Sequence, residues 1–539
     1  MRDLLKYHIK KHIKYIILLV VMQSISYIIS IYVPYLNGKF VDLLVYNMSR
    51  GQLRNYALII SAIGISGIII SYFYSVFCIK TKNKISFELN LKVINHLQKV
   101  PLYKYEKYDP TYLNQQVNND VTVITTFIFD DLFTLIFNSI KLLALIIIFF
   151  YINKSIFLIT IIFIPIYILV YCALKKPLFD KGLEYRNNQS SFFNKLNEQF
   201  VLNREIKTHI NFKLSEKVLC NGYDNFFSSL IDYSKLACLF TSLDGVICIL
   251  FQSIALVVGG IQVINKNMTL GEYTIINVYF SHLLSTIKYY FNIGKTYQDV
   301  RVSTKRILDL FNINKEDNGE KKLNNIRELE IKDLCYRNKE NYVIINNFNY
   351  CFKENNFYAI IGDNGAGKTT LINIICGIIQ NNVEGKILYN GYCVDKLDLY
   401  NLRKNHISIM LQNEKVPSIK VKDFLYENSE IKSSQGIISL LINKGLSNLF
   451  LCEEFNIKNY MEENLTEISG GERQMVILLR TFLKDSYIYI LDEPSSNIDL
   501  KLTNKIIENI QNRKTNKIFI VITHDSKLVE NCDEIIYIN

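Results

Sequence analysis

Six apolar segments, each of about 20 residues, lie within the first three hundred positions of the chain. They cover residues 15–36, 56–79, 132–151, 155–174, 236–264 and 274–293, and the last is the most polar of the six. A helix of about 20 residues crosses the roughly 30 Å of hydrocarbon in a bilayer. The pattern therefore predicts an all-α domain of six transmembrane helices over residues 1–311.

Positive charge is distributed unevenly between the two sides of these segments. Lys and Arg are frequent before the first segment and in residues 80–130 and 175–235, whereas the connections on the opposite side contain few. Basic loops face the cytoplasm, so both termini are predicted to be cytoplasmic. The two long basic stretches are polar but poor in turn residues, which predicts that membrane helices continue through them.

The character of the sequence changes after the sixth segment. Residues 312–328 are charged and rich in Asn, as in a linker. From residue 329 to residue 539, short β-rich runs such as residues 357–361 and 486–491 alternate with helical patterns. This alternation predicts a C-terminal α/β domain around a parallel sheet.

Composition narrows the class of protein further. Hydrophobic residues make up 49% of the 539 positions, and the net charge of +11 arises beside the apolar segments, which favours a membrane protein over a nucleic-acid-binding one. The eleven Cys residues form no CxxC pair, so neither a zinc site nor a disulfide framework is indicated. The first apolar run lacks a small-residue cleavage site and is predicted to stay in the protein as a span of the plasma membrane. Abundant Lys, Asn and Ile without any Trp indicate a bacterial source.

The stretch GDNGAGKTT follows the apolar run FYAII and precedes the helical pattern LINIICGII. This is the phosphate-binding loop GxxxxGK[ST] in its required context of strand, loop and helix. Its glycines let backbone N–H groups close on the phosphates of ATP, while Lys368 reaches the β and γ phosphates and Thr369 holds Mg²⁺. The candidate ATP-binding residues here are Gly362, Asn364, Gly365, Gly367, Lys368, Thr369 and Thr370.

Two more motifs with chemical meaning follow downstream. The run YIYILDEP ends an apolar strand in Asp492 and Glu493, where one carboxylate can hold Mg²⁺ and the other can polarise an attacking water. The stretch ISGGERQ indicates the start of a helix that presents backbone N–H groups to an anion. One chain therefore contains two candidate phosphate-binding segments.

Further matches place these motifs in a family. Gln412 in ISIMLQN, residues 496–499 and His524 in VITHD stand with the other motifs in a characteristic order. The chain resembles an ATP-binding cassette (ABC) half-transporter of the exporter type, in which a six-helix membrane domain is fused to a P-loop nucleotide-binding domain. The resemblance implies that Gln412 contacts the metal ion, that Glu493 is the general base and that His524 holds the γ-phosphate.

The same resemblance explains the second phosphate-binding segment. It implies that Ser469, Gly470 and Gly471 face an ATP molecule held by a second chain, and that Asp499 belongs to a loop linking the two sites. Residues 105–121 and the stretch NREIKTHINFKLSEK resemble the family's cytoplasmic loops, whose short helices dock on the nucleotide-binding domains. The stretch MTLGEY resembles the family's entry to its sixth helix.

The chain departs from the family pattern in three places, one of which is the stretch YMEENLTE before ISGGERQ, where Glu462 is the only good match to the exporter pattern. Asn338 stands where the family usually has an aromatic residue that stacks on adenine, and Tyr336 is a candidate substitute. In ISGGERQ, which is the signature stretch of the family, Ile468 and Glu472 replace the commoner Leu and Gln. The resemblance therefore does not assign the adenine contact to a residue at the usual position.

The resemblance implies ATP-driven export of an amphipathic or hydrophobic substrate, such as a peptide or bacteriocin, a lipid or a drug, by alternating access in a dimer. A homodimer is favoured over a heterodimer because this chain keeps every hydrolytic residue. The alternatives are an importer of the same build, and a gated or regulatory membrane ATPase without transport.

Four ionisable positions lie within the predicted spans: Lys141, Asp244, His282 and Lys288. They are candidates for lining the substrate path. Alternatively, Lys141 and Asp244 pair with each other between helices. Asp130 and Asp131 are predicted to lie at an interface.

Overall fold

The computed structural model describes residues 11–45, 49–108, 110–338, 342–363, 365–412, 414–426, 434–452, 455–496 and 498–538. The chain divides into two compact units. The first comprises Met1–Asn95 and Pro110–Asn312 and is helical, and the second comprises His96–Asp109 and Ile313–Asn539 and is mainly α/β.

The N-terminal half of the chain is built from long helices. In chain order they are α1 (Ile13–Val45), α2 (Arg50–Leu97), α3 (Leu102–Tyr105), α4 (Pro110–Thr126), α5 (Phe133–Ile152), α6 (Lys154–Val201), α7 (Asn203–His209), α8 (Phe212–Ile264) and α9 (Leu270–Phe311). Within the described residues, five segments are long and apolar enough to cross a membrane, and they lie in α1, α2, α4 with α5, α6 and α8. The sixth predicted span lies in α9, whose more polar sequence is partly buried against its neighbours.

The two basic stretches continue the membrane helices, as the scarcity of turn residues predicted. Helix α2 runs on to Leu97, α6 runs to Val201, and α8 begins at Phe212. A π-helical stretch, Phe127–Leu132, joins α4 to α5. Within it, Asp130 accepts a hydrogen bond of 2.6 Å from Lys82 Nζ. Asp130 therefore lies where α2 contacts this stretch.

Helices α1 and α9 approach closely at two glycines. A Cβ atom on Gly271 would lie 2.1 Å from the carbonyl oxygen of Gly38, so no larger residue fits without a shift of the backbone. The N-terminus of α9 carries a capping box in which Thr269 and Glu272 satisfy each other's backbone N–H groups. Asp42 of α1 accepts hydrogen bonds from Thr269 Oγ1 at 2.8 Å and from Gly271 N at 2.7 Å. The stretch MTLGEY thus fixes the start of α9 against α1.

The second unit contains two sheets. Its strands are β1 (Glu328–Arg337), β2 (Val343–Lys353), β3 (Asn356–Ile361), β4 (Val383–Tyr389), β5 (Tyr392–Cys393), β6 (Ile407–Met410), β7 (Ile488–Asp492), β8 (Ile518–Ile522) and β9 (Glu534–Tyr537). The predicted parallel sheet has the order β6-β7-β8-β3-β9, and β7 and β8 are buried over their full length. An antiparallel sheet of order β2-β1-β4-β5, which the sequence did not predict, stands beside it.

Helices cover the sheets of this unit. They are α10 (Lys368–Ile375), α11 (Leu399–Asn401), α12 (Val421–Tyr426), α13 (Ser434–Asn443), α14 (Ser447–Phe450), α15 (Gly470–Leu483), α16 (Leu500–Arg513) and α17 (Ser526–Glu530). A second π-helical stretch, Leu402–His406, leads into β6. Helix α16 buries one apolar face, as the 3.6-residue period predicts, whereas α15 is buried on nearly all sides from Gln474 to Phe482.

The segment His96–Asp109, which contains α3, belongs to the second unit. The carbonyl oxygen of Lys99 accepts a hydrogen bond of 2.7 Å from Glu316 N, and the Lys99 ammonium lies 5.9 Å from the ring centroid of Tyr400. Glu316 in turn pairs with Arg403 at 2.9 Å. A short helix between two predicted spans is therefore attached to the α/β unit by backbone and side-chain contacts.

Candidate active site

The phosphate-binding loop connects the buried strand β3 to α10. Gly367 adopts φ +91°, a conformation that a side chain disfavours, and a Cβ atom there would lie 2.7 Å from Ile344 Cγ2 of β2. A Cβ atom on Gly362 would lie 2.3 Å from the carbonyl oxygen of Ile538. Gly362 and Gly367 are therefore required by the close approach of β2 and of the residue that follows β9. Asn364 lies outside the described residues, and Thr370 lies in the first turn of α10.

Lys368 lies across the loop that precedes it. Its ammonium donates hydrogen bonds to the carbonyl oxygens of Gly362 and Asp363, the latter at 3.1 Å, and contacts His524 Nε2 at 3.2 Å. An ammonium is a point charge on a flexible stem, so it can exchange carbonyl partners for phosphate oxygens. The loop thus has a cation at the place where an anion would enter.

Two oxygen ligands suited to a hard cation lie beside this loop. Thr369 Oγ1 donates to Asp492 Oδ2 at 3.4 Å, and Asp492 ends β7 with only 3% of its surface exposed. Burial raises the pKa of Asp492, and the Thr369 hydrogen bond and the Lys368 charge oppose that rise. In the described part of the chain, the hydrogen bond to the Asp492 carboxylate is this long one from a hydroxyl, which compensates a buried charge incompletely, and a divalent cation would complete the compensation. The oxygens present therefore fit Mg²⁺.

Glu493 occupies a strained backbone position next to Asp492. Its φ is +52°, and its N–H donates to the carbonyl oxygen of Ile522 at 2.9 Å. Burial raises the pKa of Glu493, an effect that His524 opposes and Asp492 reinforces. Its Oε1 lies 3.9 Å from His524 Nε2. Non-glycine residues in this backbone region cluster at functional sites, and a carboxylate of raised pKa is a better proton acceptor near neutral pH.

Gln474 holds the loop that carries Glu493, and the sequence did not single it out. From the buried face of α15, its Nε2 donates to the carbonyl oxygens of Glu493 at 3.0 Å and Pro494 at 3.1 Å, and it lies 3.1 Å from Ser496 Oγ. Ser496 Oγ itself donates to the Glu493 carbonyl at 2.9 Å. The only signal in the sequence is a polar residue on the apolar face of a helix. The helix that begins at ISGGERQ is thus bonded directly to the strained loop.

The signature stretch forms the N-terminus of α15. Ser469 and Glu472 make a capping box, and Glu472 Oε2 accepts from Ser469 N at 2.8 Å. Tyr460 donates its hydroxyl to Glu472, which lowers the pKa of that carboxyl group, and the Ser469 bonds lower it further. Glu in place of the commoner Gln is therefore accommodated by a local hydroxyl donor. Ser469 and Gly470 are exposed.

The other predicted site residues lie apart from this cluster. Gln412 is exposed in the turn after β6, and Asp499 is the N-cap of α16. Tyr336 pairs with Ile345 within the antiparallel sheet and packs against its buried core. In the described ranges, the structure joins Lys368, Thr369, Asp492, Glu493 and His524 by contacts below 4 Å. Among the hydrogen bonds and ion pairs of the described residues, none joins Gln412, Asp499 or Ser469 to that group.

One exposed aromatic residue near the loop was missed in the sequence. Tyr342 is 67% exposed and lies two residues before Ile344, the residue that contacts Gly367. Its N–H donates to Asn338 Oδ1 at 3.0 Å, and the Asn338 N–H donates back to the Tyr342 carbonyl at 2.9 Å. Asn338, which replaces the family's aromatic residue, thus holds another aromatic residue at the start of β2.

Comparison with known proteins identifies the family. The family model of the ABC transporter transmembrane region matches residues 16–287, which is half of the chain, and the ABC transporter model matches residues 345–496. The chain belongs to the ABC transporter family. It is a half-transporter of the exporter type, with a helical transmembrane domain followed by an α/β nucleotide-binding domain, and it is an ATP-hydrolysing transporter.

Individual relatives of this ABC exporter are distant in sequence. It is 23% identical over 487 residues to an ATP-dependent lipid A-core flippase of Wigglesworthia glossinidia brevipalpis, covering 88% of this chain and 81% of the relative. It is 25% identical over 402 residues to the lactococcin-A transport/processing ATP-binding protein LcnC of Lactococcus lactis, covering 72% of this chain and 54% of that relative. A bacterial Atm1-family ABC exporter with ATP bound has the same fold, with a TM-score of 0.78, 15% identity, and coverage of 98% of this chain and 94% of that one.

Proposed function

We propose that this ABC exporter couples Mg²⁺-dependent ATP hydrolysis in a homodimer to the export of an amphipathic or hydrophobic substrate across a bacterial plasma membrane, with both termini in the cytoplasm. The observation that carries the proposal is the grouping of Lys368, Thr369, Asp492, Glu493 and His524 around one glycine loop. Peptides, lipids and drugs all fit this class of substrate. Relatives named for a lipid flippase and for lactococcin-A transport support the class without selecting within it.

The chemistry assigns a role to each side chain of the group. Lys368 exchanges its carbonyl partners for the β and γ phosphate oxygens of ATP, and the backbone N–H groups from Gly362 to Gly367 surround those phosphates. Thr369 and Asp492 would hold Mg²⁺, with Gln412 joining them when its exposed turn moves inward. The ion would neutralise charge on the phosphates.

Glu493 is proposed as the group that accepts a proton from the attacking water. Its raised pKa brings the carboxylate closer to the pH at which a general base is most effective. His524, which contacts Lys368 and approaches Glu493, is placed to hold the γ-phosphate. Tyr342, which is exposed and lies two residues before the Ile344 that meets Gly367, is the better candidate for stacking on adenine because Tyr336 packs against the core.

Dimerisation supplies what one chain lacks. Ser469 and Gly470 present exposed backbone at a helix N-terminus, and in the described part of the chain the hydrogen bonds of the Ser469 side chain go to Glu472. We propose that this segment faces the γ-phosphate of ATP on a second copy, and that Asp499 lies between the two sites. Each ATP would then be enclosed by two chains, and their closure would move the membrane helices.

The first experiment measures ATP hydrolysis by the purified chain in proteoliposomes. Mg²⁺-dependent hydrolysis is expected for the wild type and near-complete loss for Glu493→Gln, with ATP binding retained because the phosphate loop is unchanged. Asp485→Asn, at an exposed surface carboxylate that pairs with Lys517, is the matched control and should stay active. Full activity of Glu493→Gln would refute its role as the base.

The second experiment tests the shared sites and the direction of transport. Mixed dimers of Lys368→Ala chains with Ser469→Arg chains should recover part of the activity that each variant lacks alone, because one composite site is then intact. Absence of any recovery would argue against sites shared between chains. In inside-out vesicles, a fluorescent amphipathic probe should accumulate only with ATP. Loss of preloaded probe instead would indicate import, and hydrolysis without movement of any probe would indicate a regulatory ATPase.

A further inference from the structure

Polar side chains from three helices meet near the middle of the predicted membrane spans. Tyr27 of α1, Lys141 of α5 and His282 of α9 each lie close to the centre of their apolar segments. At 1.5 Å per residue, Lys141 is about 12 Å from the start of α5 and about 16 Å from its end. These residues, with Asn138, are called the mid-span cluster below.

The contacts within the mid-span cluster are direct. Lys141 Nζ lies 3.1 Å from His282 Nδ1 and 5.8 Å from the ring centroid of Tyr27. The Tyr27 hydroxyl donates to Asn138 Oδ1 at 3.0 Å, one turn before Lys141. An ammonium has no acceptor, so Nδ1 of His282 must accept, and the proton of the neutral imidazole is then on Nε2.

The charge of Lys141 is not balanced by another protein group in the described part of the chain. Only 8% of Lys141 is exposed, and its described partners are a neutral ring nitrogen and an aromatic face. The predicted pairing of Lys141 with Asp244 falls outside the described residues, as does the side chain of Lys288. An unbalanced cation at this depth costs several kcal/mol, so residues of this kind mark functional sites in membrane proteins.

The donors of the mid-span cluster suit an anion. Lys141 keeps two N–H groups after its bond to His282, and the imidazole offers a third donor at Nε2. A carboxylate or phosphate group would neutralise the ammonium and accept these hydrogen bonds, whereas a neutral polar head would leave the charge uncompensated. Tyr27 and Phe137, whose stacked ring centroids are 5.1 Å apart, add aromatic surface against which an alkyl chain or ring can pack.

We propose that Lys141 and His282, supported by Tyr27 and Asn138, form a binding site for the acidic group of the transported amphiphile. The inference rests on the proposed function, because it names the chemical class of that exporter's substrate. The acidic group would be a carboxylate or a phosphate attached to an apolar body. Binding there would connect α1, α5 and α9 through a single ligand.

The test is equilibrium binding of radiolabelled dodecanoate to the full-length chain in lipid nanodiscs without nucleotide. Unlabelled dodecanoate and dodecyl phosphate should compete, and dodecanol, which has the same alkyl chain without the charge, should compete about thirtyfold less well or worse. The stronger of the two acids identifies whether a carboxylate or a phosphate is preferred. Equal competition by dodecanol would overturn the proposal.

Three variants separate charge from structure. Lys141→Gln retains a hydrogen-bond donor for His282 but removes the charge, and it should lose the preference for dodecanoate over dodecanol. Lys141→Arg should keep the preference. Lys154→Met, at an exposed Lys where α6 begins, should leave binding unchanged. A preference that survives in a folded Lys141→Gln protein, as judged by its melting curve, would refute the site.

The same nanodiscs also report ATP hydrolysis, which keeps the two proposals distinguishable. If the chain hydrolyses ATP but binds dodecanoate and dodecanol equally well, the proposed acid site is refuted and the proposed exporter function stands. Selective binding without any Mg²⁺-dependent hydrolysis would have the opposite meaning. The acid site would then stand, and the proposed ATP-driven export would fail.

Discussion

Replacing Gln474 by Leu should slow ATP hydrolysis without weakening ATP binding. The side chain is buried, and its amide donates to the carbonyl oxygens of Glu493 and Pro494. Leu has a similar length and an apolar character that suits the face of α15. The variant therefore removes the donor while leaving the phosphate loop and the helix intact.

The magnitude follows from the hydrogen bonds that remain. The Glu493 carbonyl keeps the Ser496 hydroxyl as a donor, so its loss is that of one neutral hydrogen bond, about 1 kcal/mol. The Pro494 carbonyl loses the amide donor described for it, which costs about 1–3 kcal/mol for a buried group. The sum, about 2–4 kcal/mol, is comparable to the roughly 1–3 kcal/mol needed to hold a residue such as Glu493 at positive φ. The strained loop should therefore relax.

A displaced Glu493 carboxylate should reduce kcat. If the displacement raises the activation free energy of hydrolysis by about 1.4 kcal/mol, kcat falls about tenfold. The KM for ATP should stay within about twofold, because no phosphate contact is removed. Steady-state ATP hydrolysis in proteoliposomes at several ATP concentrations separates the two constants, and a melting curve confirms that each variant is folded.

Gln511→Leu is the matched control. Gln511 also donates its amide to a backbone carbonyl, that of Asn531 at 2.7 Å, but it is only half-buried and lies on α16, outside the Glu493 loop. Its variant should hydrolyse ATP at the wild-type rate. An unchanged kcat in folded Gln474→Leu would show that the three contacts serve stability alone, and would refute the argument that Gln474 positions the Glu493 loop.

Three further predictions follow from other parts of the chain. Gly367→Ala should abolish binding of a fluorescent ATP analogue, because φ is +91° and a Cβ atom would meet Ile344; Gly391→Ala, with open space around it, is the control, and retained binding in Gly367→Ala would contradict the steric argument. Burial lowers the pKa of Lys484 from 10.5 to about 8. Between these two pH values the unfolded chain holds the Lys484 proton more often than the folded protein does, so the free energy of unfolding should rise with pH over this range. The melting temperature of Lys484→Met should therefore fall increasingly behind that of the wild type over this range, and a constant difference would exclude the linkage. Asp42→Ala should destabilise the helical unit by about 1–3 kcal/mol, since the Thr269 hydroxyl and the Gly271 N–H lose their acceptor, and thermal unfolding in detergent with an unchanged midpoint would contradict this.

Much of the molecule was predictable from local patterns. The long apolar segments predicted the membrane helices, and the scarcity of turn residues predicted that α2, α6 and α8 extend past them. The order of GDNGAGKTT and YIYILDEP predicted strands that end in chemically active loops. These predictions succeeded because hydrophobic periodicity and glycine spacing are local properties. The antiparallel sheet β2-β1-β4-β5 was missed because its strand pairing depends on long-range contacts.

The sequence by itself determined the classes of residue that this exporter uses: glycines and a lysine for phosphates, carboxylates after a buried strand, and charged residues inside apolar spans. Only the tertiary structure decided which of them meet. It joined Gln474 to the loop of Glu493, paired the backbone of the exposed Tyr342 with Asn338, and brought Lys141 of α5 to His282 of α9. The reason is physical: burial and hydrogen bonding depend on which surfaces pack together, and no local pattern specifies the partner of a buried polar group.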